Sequence, residues 1–187
     1  SSNAIIEQNT IRDVHMNDAP PESSIAAIIV DAWDNKGTTI VRGNTVDVRS
    51  ANGIAMRGHG DRKPRFEIYD NEISVEEPYF PFAFTSQNVT NTVIRNNRTR
   101  GGRAGLWVQK ACCPPANVEF HDNDVRDVSM PLLAAQDVSA GVRVYKNVFC
   151  FKSAVDAGRK NGIPNNTFSS DCVSSHSTVP PQKLQIW

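Results

Sequence analysis

Three side chains that could move protons or hold negative charge fall at matched places in this chain: Asp31, Arg57 and His59. A carboxylate such as Asp31 serves as acid or base, and Arg57 or His59 would stabilise the carboxylate of a uronic acid. Trp33, Trp107, Gln109 and Thr85 accompany them. An indole covers the apolar face of a sugar ring while amides and hydroxyls bond its hydroxyl groups. Asp31, Asp34 and Asp61 are the carboxylates of this group. Glycoside hydrolysis needs two carboxyl groups about 5–10 Å apart across the scissile bond, and spacing alone dictates no such pair. Elimination instead needs a base beside a carboxylate and a cation to hold the developing charge. The competing reading is a solvated row of side chains whose tryptophan is shielded by a neighbouring loop.

The elements that would position these residues are repeated. Seven segments align on an asparagine: AIIEQNTI (4–11), TIVRGNTV (39–46), FEIYDNEI (66–73), TVIRNNRT (92–99), VEFHDNDV (118–125), VRVYKNVF (142–149) and NGIPNNTF (161–168). The shared residues are Asn9, Asn44, Asn71, Asn97, Asn123, Asn147 and Asn166, with gaps of 35, 27, 26, 26, 24 and 19 residues. Apolar positions alternate before each asparagine and change face after it, which describes strand, tight corner, strand. Between the asparagines a second signal recurs as AAIIV (26–30), GIAM (53–56), FAFT (82–85), GLWV (105–108) and LLAA (132–135). Each coil then has about three short strands. β-Branched residues, Asn and Gly punctuate every segment and no 3.6-residue stripe persists, so helix is a poor alternative.

The expectation is an all-β, single-stranded, right-handed parallel β-helix of about seven coils over residues 1–171. Residues 172–187 form a tail of linker composition whose LeuGlnIleTrp end would cap the last coil. Asparagine suits the corners because it tolerates the left-handed backbone region, and its amide can bond the equivalent asparagine one coil away. These residues are therefore architectural. Alternation points Ile28/Val30, Ile54/Met56, Phe82/Phe84 and Leu106/Val108 inward. It leaves Asp31, Arg57, Thr85 and Gln109 as an outward row with Ala55, Ala83 and Trp107 beside it. Pro and Gly mark 15–24, 57–65, 76–81 and 109–117 as loops outside the rungs.

The repeat resembles that of the right-handed parallel β-helix, or pectin-lyase-like, superfamily, and the resemblance covers about residues 1–170. It implies an extracellular or surface protein acting on polysaccharide: a lyase, hydrolase, epimerase or phage tailspike. Gly58-His59-Gly60 matches one motif of the polygalacturonase-type hydrolases on this fold. The Asn-Thr-Asp, Asp-Asp and Arg-Ile-Lys motifs that accompany it there are missing, so the tripeptide is read as coincidence. The clustered strand carboxylates of calcium-dependent pectate lyases are also missing, and no metal or other cofactor is implied.

Lys+Arg and Asp+Glu are equal at 20 each, so no net field draws the chain to nucleic acid or anionic membrane. No apolar run reaches the roughly 18 residues that span a bilayer. No signal peptide is visible in this chain, which is also how a secreted protein lacking its leader reads. Cys150 and Cys172 lie about one repeat apart and would form a disulfide or remain two buried thiols. Asn3 stands six before its repeat asparagine, as Asn91 and Asn117 do, so the first coil begins at once. An open coil implies further coils or self-association at that end. Arg95, Arg98, Arg100 and Arg103 form a basic cluster, read either as charge pairing or as an anionic-glycan site. Arg98 should stack between Glu72 and Asp124, and Arg100 between Ser74 and Arg126. The sequons at Asn88, Asn97 and Asn165 carry little weight, since Asn97 should be inaccessible. Two functions remain. One is an extracellular protein that binds, and cleaves or epimerises, a polysaccharide. The other is a non-catalytic adhesin-like or tailspike-like segment.

Overall fold

The computed structural model describes residues 3–15, 25–32, 37–58, 65–84, 90–108, 116–134, 141–152 and 166–169. Among them are eighteen strands and essentially no helix. The chain visits three parallel sheets in turn. The first holds β1 (Ala4–Glu7), β4 (Thr38–Arg42), β7 (Arg65–Tyr69), β10 (Thr90–Arg95), β13 (Ala116–His121) and β16 (Val142–Tyr145). The second holds β2 (Thr10–Val14), β5 (Thr45–Val48), β8 (Glu72–Val75), β11 (Arg98–Gly101), β14 (Asp124–Val128), β17 (Val148–Phe151) and β18 (Thr167–Ser169). The third holds β3 (Ala26–Ala32), β6 (Asn52–Gly58), β9 (Phe82–Phe84), β12 (Ala104–Val108) and β15 (Met130–Ala134). Every strand pairs with its counterpart one coil away, which makes the molecule a parallel β-helix. Against about seven coils expected, five carry a strand in all three sheets among the described residues. Only the second sheet has seven strands.

The seven repeat asparagines occupy the corner between the first and second sheets and form one directional ladder. Asn71 donates both its backbone N–H (3.0 Å) and its side-chain N–H (2.9 Å) to Asn97 Oδ1. Asn97 treats Asn123 the same way, at 3.0 Å for both bonds. The pattern runs unbroken from Asn9 to Asn166. Each described ladder side chain after the first is buried, which leaves Asn97 1 % exposed.

The reason for asparagine needs one correction. The left-handed residue is the one before each asparagine: Gln8, Gly43, Asp70, Asn96, Asp122 and Lys146 have φ between 53° and 63°. The preceding residue turns the chain, and the asparagine supplies the bonds that satisfy the turned backbone. A shorter ladder lies at the other end of the first sheet, where Asn117 Nδ2 donates to Asn91 Oδ1 at 3.0 Å and Asn3 Oδ1 accepts from the Thr38 N–H at 2.9 Å.

Inside the coils, Ile28, Val30, Ile54, Met56, Phe82, Leu106 and Val108 are buried as alternation requires. The Phe84 side chain lies outside the described residues. Phe82, Phe120 and Phe149 form a column through the core, with centroids 5.9 and 6.4 Å apart. Around this column the buried core is mainly Val and Ile, so aliphatic burial carries most of the packing.

Candidate functional site

The expected site lies on the outer side of the third sheet. Asp31 and Arg57 are direct cross-strand partners there, with a carboxylate–guanidinium separation of 3.6 Å. Trp33, His59, Thr85 and Gln109 lie outside the described residues. Trp107 does point away from the core, but it is not an open platform. It is 7 % exposed, and the Phe80 ring stacks on it at 4.9 Å and 19°. Phe80 belongs to the segment 76–81, expected to be a loop outside the rungs, which instead folds back over the sheet. Its backbone is tied down by Phe80 N–H to Asn52 Oδ1 (3.0 Å), Gly53 N–H to Phe80 O (2.9 Å) and Ile54 N–H to Pro81 O (2.9 Å). Farther along, Glu77 accepts bonds from Ser129 Oγ (3.0 Å) and Lys152 Nζ (3.1 Å), so the strap spans several coils. A sugar would have to displace Phe80 to reach this indole face, so the geometry of Trp107 matches the shielded arrangement, with the cover supplied by 76–81.

A more extensive array covers the outside of the first sheet. Register places Glu7, Arg42, Tyr69, Arg95, His121 and Tyr145 in one column, one residue per coil. Neighbouring strands are about 4.8 Å apart, so planar side chains in such a column stack. Arg42 bridges Glu7 (2.7 Å) and the Tyr69 hydroxyl (3.1 Å). The Arg95 guanidinium lies 4.4 Å from the Tyr69 ring centroid. His121 and Tyr145 stack at 4.9 Å with planes 10° apart. Within the column the Tyr69 hydroxyl is taken by Arg42 and the Tyr145 hydroxyl by Glu119, while Arg95 makes no ion pair among the described residues.

A second column two residues earlier contains Glu67, Glu119 and Arg143. Glu67 pairs with Arg65 at 2.9 Å. Glu119 accepts the Tyr145 hydroxyl at 2.6 Å and pairs with Arg143. That hydroxyl bond, aided by the positive charge of Arg143, holds the Glu119 carboxyl below the usual glutamate range. The same bond, seen from the phenol, pushes Tyr145 up to about 12. Glu119 is thus fixed as an anion and Tyr145 as a neutral phenol near pH 7. Neither is poised to exchange a proton.

On the second sheet, Arg98 sits in register between Glu72 and Asp124, and Arg100 between Ser74 and Arg126, as expected. The charge pairing differs. Asp124 is held by Arg126 of its own strand, Nε to both oxygens at 3.0 Å, and Arg100 pairs with Asp127 of the next coil at 2.7 Å. Asp127 occupies a bulge with φ 55° that swings its carboxylate toward Arg100. Arg98 makes no ion pair among the described residues.

Among the described residues, no group of three His, Cys, Asp or Glu side chains is placed to hold a metal ion. No described helix is long and apolar enough to cross a membrane. Cys150 is disulfide-bonded; the other three cysteines lie outside the described residues. No protein-family model, curated protein or solved structure matches the chain. The first-sheet column was readable as the residue two before each asparagine, which runs Glu, Arg, Tyr, Arg, His, Tyr through six copies. Attention to apolar periodicity passes over it, because these positions vary in charge while sharing planarity.

Proposed function

We propose that this chain is a non-catalytic, surface-exposed β-helix that binds an extended polysaccharide along the outside of its first sheet. The observation that carries the reading is the column Arg42–Tyr69–Arg95–His121–Tyr145, in which planar polar side chains repeat at the coil spacing on the outside of the sheet. A periodic row of fixed donors and acceptors suits a periodic polymer, because groups already held in place lose little freedom on binding. The carboxylates of this face are committed to ion pairs, and Asp31 on the third sheet is paired with Arg57. Those pairings favour recognition over cleavage. The asparagine ladder and the three-strand coil support placing the chain with the pectin-lyase-like β-helices. An extracellular or cell-surface location accords with the disulfide at Cys150, since structural disulfides persist in oxidising compartments.

The test is a panel of neutral and acidic polysaccharides, scored for binding, for unsaturated products and for new reducing ends. Saturable binding without either product is expected. Product release would establish an enzyme, and absence of binding across the panel would remove the polysaccharide reading.

A further inference from the structure

We infer that Arg95 is the centre of an oxyanion-binding site on the first sheet, taking the carboxylate or sulfate of an acidic polysaccharide. This rests on the reading of that face as the polymer-binding surface. The Arg95 guanidinium carbon lies over the Tyr69 ring, 4.4 Å from its centroid, with His121 in register on its other side. A guanidinium held by its face keeps its N–H edge directed outward, the fork that matches a planar or tetrahedral oxyanion.

The carboxylates around it are engaged elsewhere. Glu7 belongs to Arg42, Glu67 to Arg65, Glu119 to Arg143 and Tyr145, and Asp122 to His121 at 2.6 Å. Asp70, at the corner of the preceding coil, makes no ion pair with Arg95 among the described residues. Among the described residues Arg95 is therefore the arginine of this column with no carboxylate partner: Arg42 carries the same charge but is neutralised by Glu7 at 2.5 Å. Arg65 and Arg143, in the neighbouring columns, are likewise paired. A bound anion would complete for Arg95 what Glu7 completes for Arg42.

The test uses the whole chain with three polymers of matched length: polygalacturonate for carboxylate, dextran sulfate for sulfate, and dextran as the neutral arm. Wild type is compared with Arg95→Gln, Arg95→Lys and Arg98→Gln by titration at fixed ionic strength, with circular dichroism confirming the fold. Arg98 is the control, a cation of the same coil that also lacks an ion pair but faces out from the second sheet. The expected result is that one or both acidic polymers bind and dextran binds at least tenfold more weakly. Arg95→Gln should lower affinity for the acidic polymer about tenfold or more. Arg95→Lys should recover only part of it, because it keeps charge without the fork, and Arg98→Gln should change little. Equal binding of dextran and the acidic polymers, unaffected by Arg95→Gln, overturns the oxyanion site while leaving polysaccharide binding in place. Equal losses in Arg95→Gln and Arg98→Gln overturn it as well, by reducing the effect to diffuse charge. No binding of any of the three overturns both readings.

Discussion

Replacing Asn97 with leucine removes a ladder rung while keeping the branching and number of side-chain heavy atoms, so its cost is set chiefly by the hydrogen bonds lost, with the bulkier methyl groups adding to it. Asn97 Oδ1 is the acceptor for the Asn71 backbone N–H at 3.0 Å, and that donor is buried with no second partner among the described residues. Leaving such a group unpaired costs about 1–3 kcal/mol. The Asn97 amide also donates to Arg95 O (2.9 Å), Ile68 O (3.1 Å) and Asn123 Oδ1 (3.0 Å). An amide has only two protons, so these amount to about two net bonds, worth roughly 1 kcal/mol each. Asn123 Oδ1 keeps the Asn97 backbone N–H at 3.0 Å, which limits the damage on that side. The expected loss is roughly 3–5 kcal/mol, and at about 2–4 °C per kcal/mol for a chain of this size it should be visible as a large fall in Tm. Urea denaturation followed by circular dichroism gives the free energy, and amide exchange at Asn71 reports the orphaned donor. Asn9→Leu is the internal control: Asn9 is exposed and its Oδ1 receives no donor among the described residues, so its loss should stay near or below about 1 kcal/mol. Equal effects at the two positions, or an unchanged Asn71 exchange rate, would refute the reasoning.

Other expectations follow from the same contacts. Phe80→Ala removes a fully buried ring from Trp107; a loss of about 3–5 kcal/mol with red-shifted tryptophan fluorescence is expected, and an unshifted spectrum would mean the ring does not shield the indole. Thr99 points into the core with a buried hydroxyl that has no hydrogen-bond partner among the described residues, so Thr99→Val should stabilise by roughly 1 kcal/mol in urea titration. Glu119, whose pKa is depressed chiefly by the Tyr145 hydroxyl, contributes stability above its unfolded pKa that disappears as pH falls through the folded value. Tyr145, raised to about 12, contributes stability present below its unfolded pKa and lost as pH climbs toward that value. Glu119→Gln should flatten part of the acid limb of a stability–pH curve and Tyr145→Phe part of the alkaline limb; unchanged limbs would show that the pair is not coupled to folding.

Much of the architecture was legible because a coil must repeat its inside. The inward residues of all three sheets and the ladder asparagines occupy one register, so their apolar and amide character recurs at nearly constant spacing. The register of Arg98 between Glu72 and Asp124 followed from that spacing alone. Ion-pair choice did not, because it depends on rotamers and on the Asp127 bulge rather than on register. Whether Trp107 is open or shielded could not be read for a related reason. Alternation correctly put it outside the sheet, but whether an outward side chain meets solvent depends on a segment such as 76–81 folding back. That fold relies on Gly53, where a Cβ would come within 2.6 Å of Pro81 O. A glycine of this kind is visible in a sequence, but not the chain that passes over it. The left-handed corner was expected at the asparagine and lies one residue before it, a position with no sequence signature because five different residue types fill it.

The central claim is that recognition lies on the first sheet and not beside Asp31 and Arg57. Hydroxyl-radical footprinting with and without a bound acidic polysaccharide tests it most directly. The account predicts that bound polymer lowers oxidation of Tyr69, His121 and Tyr145 and leaves Ile29, the exposed residue beside Asp31, unchanged. Protection of Ile29 with no change in the three first-sheet rings would contradict it.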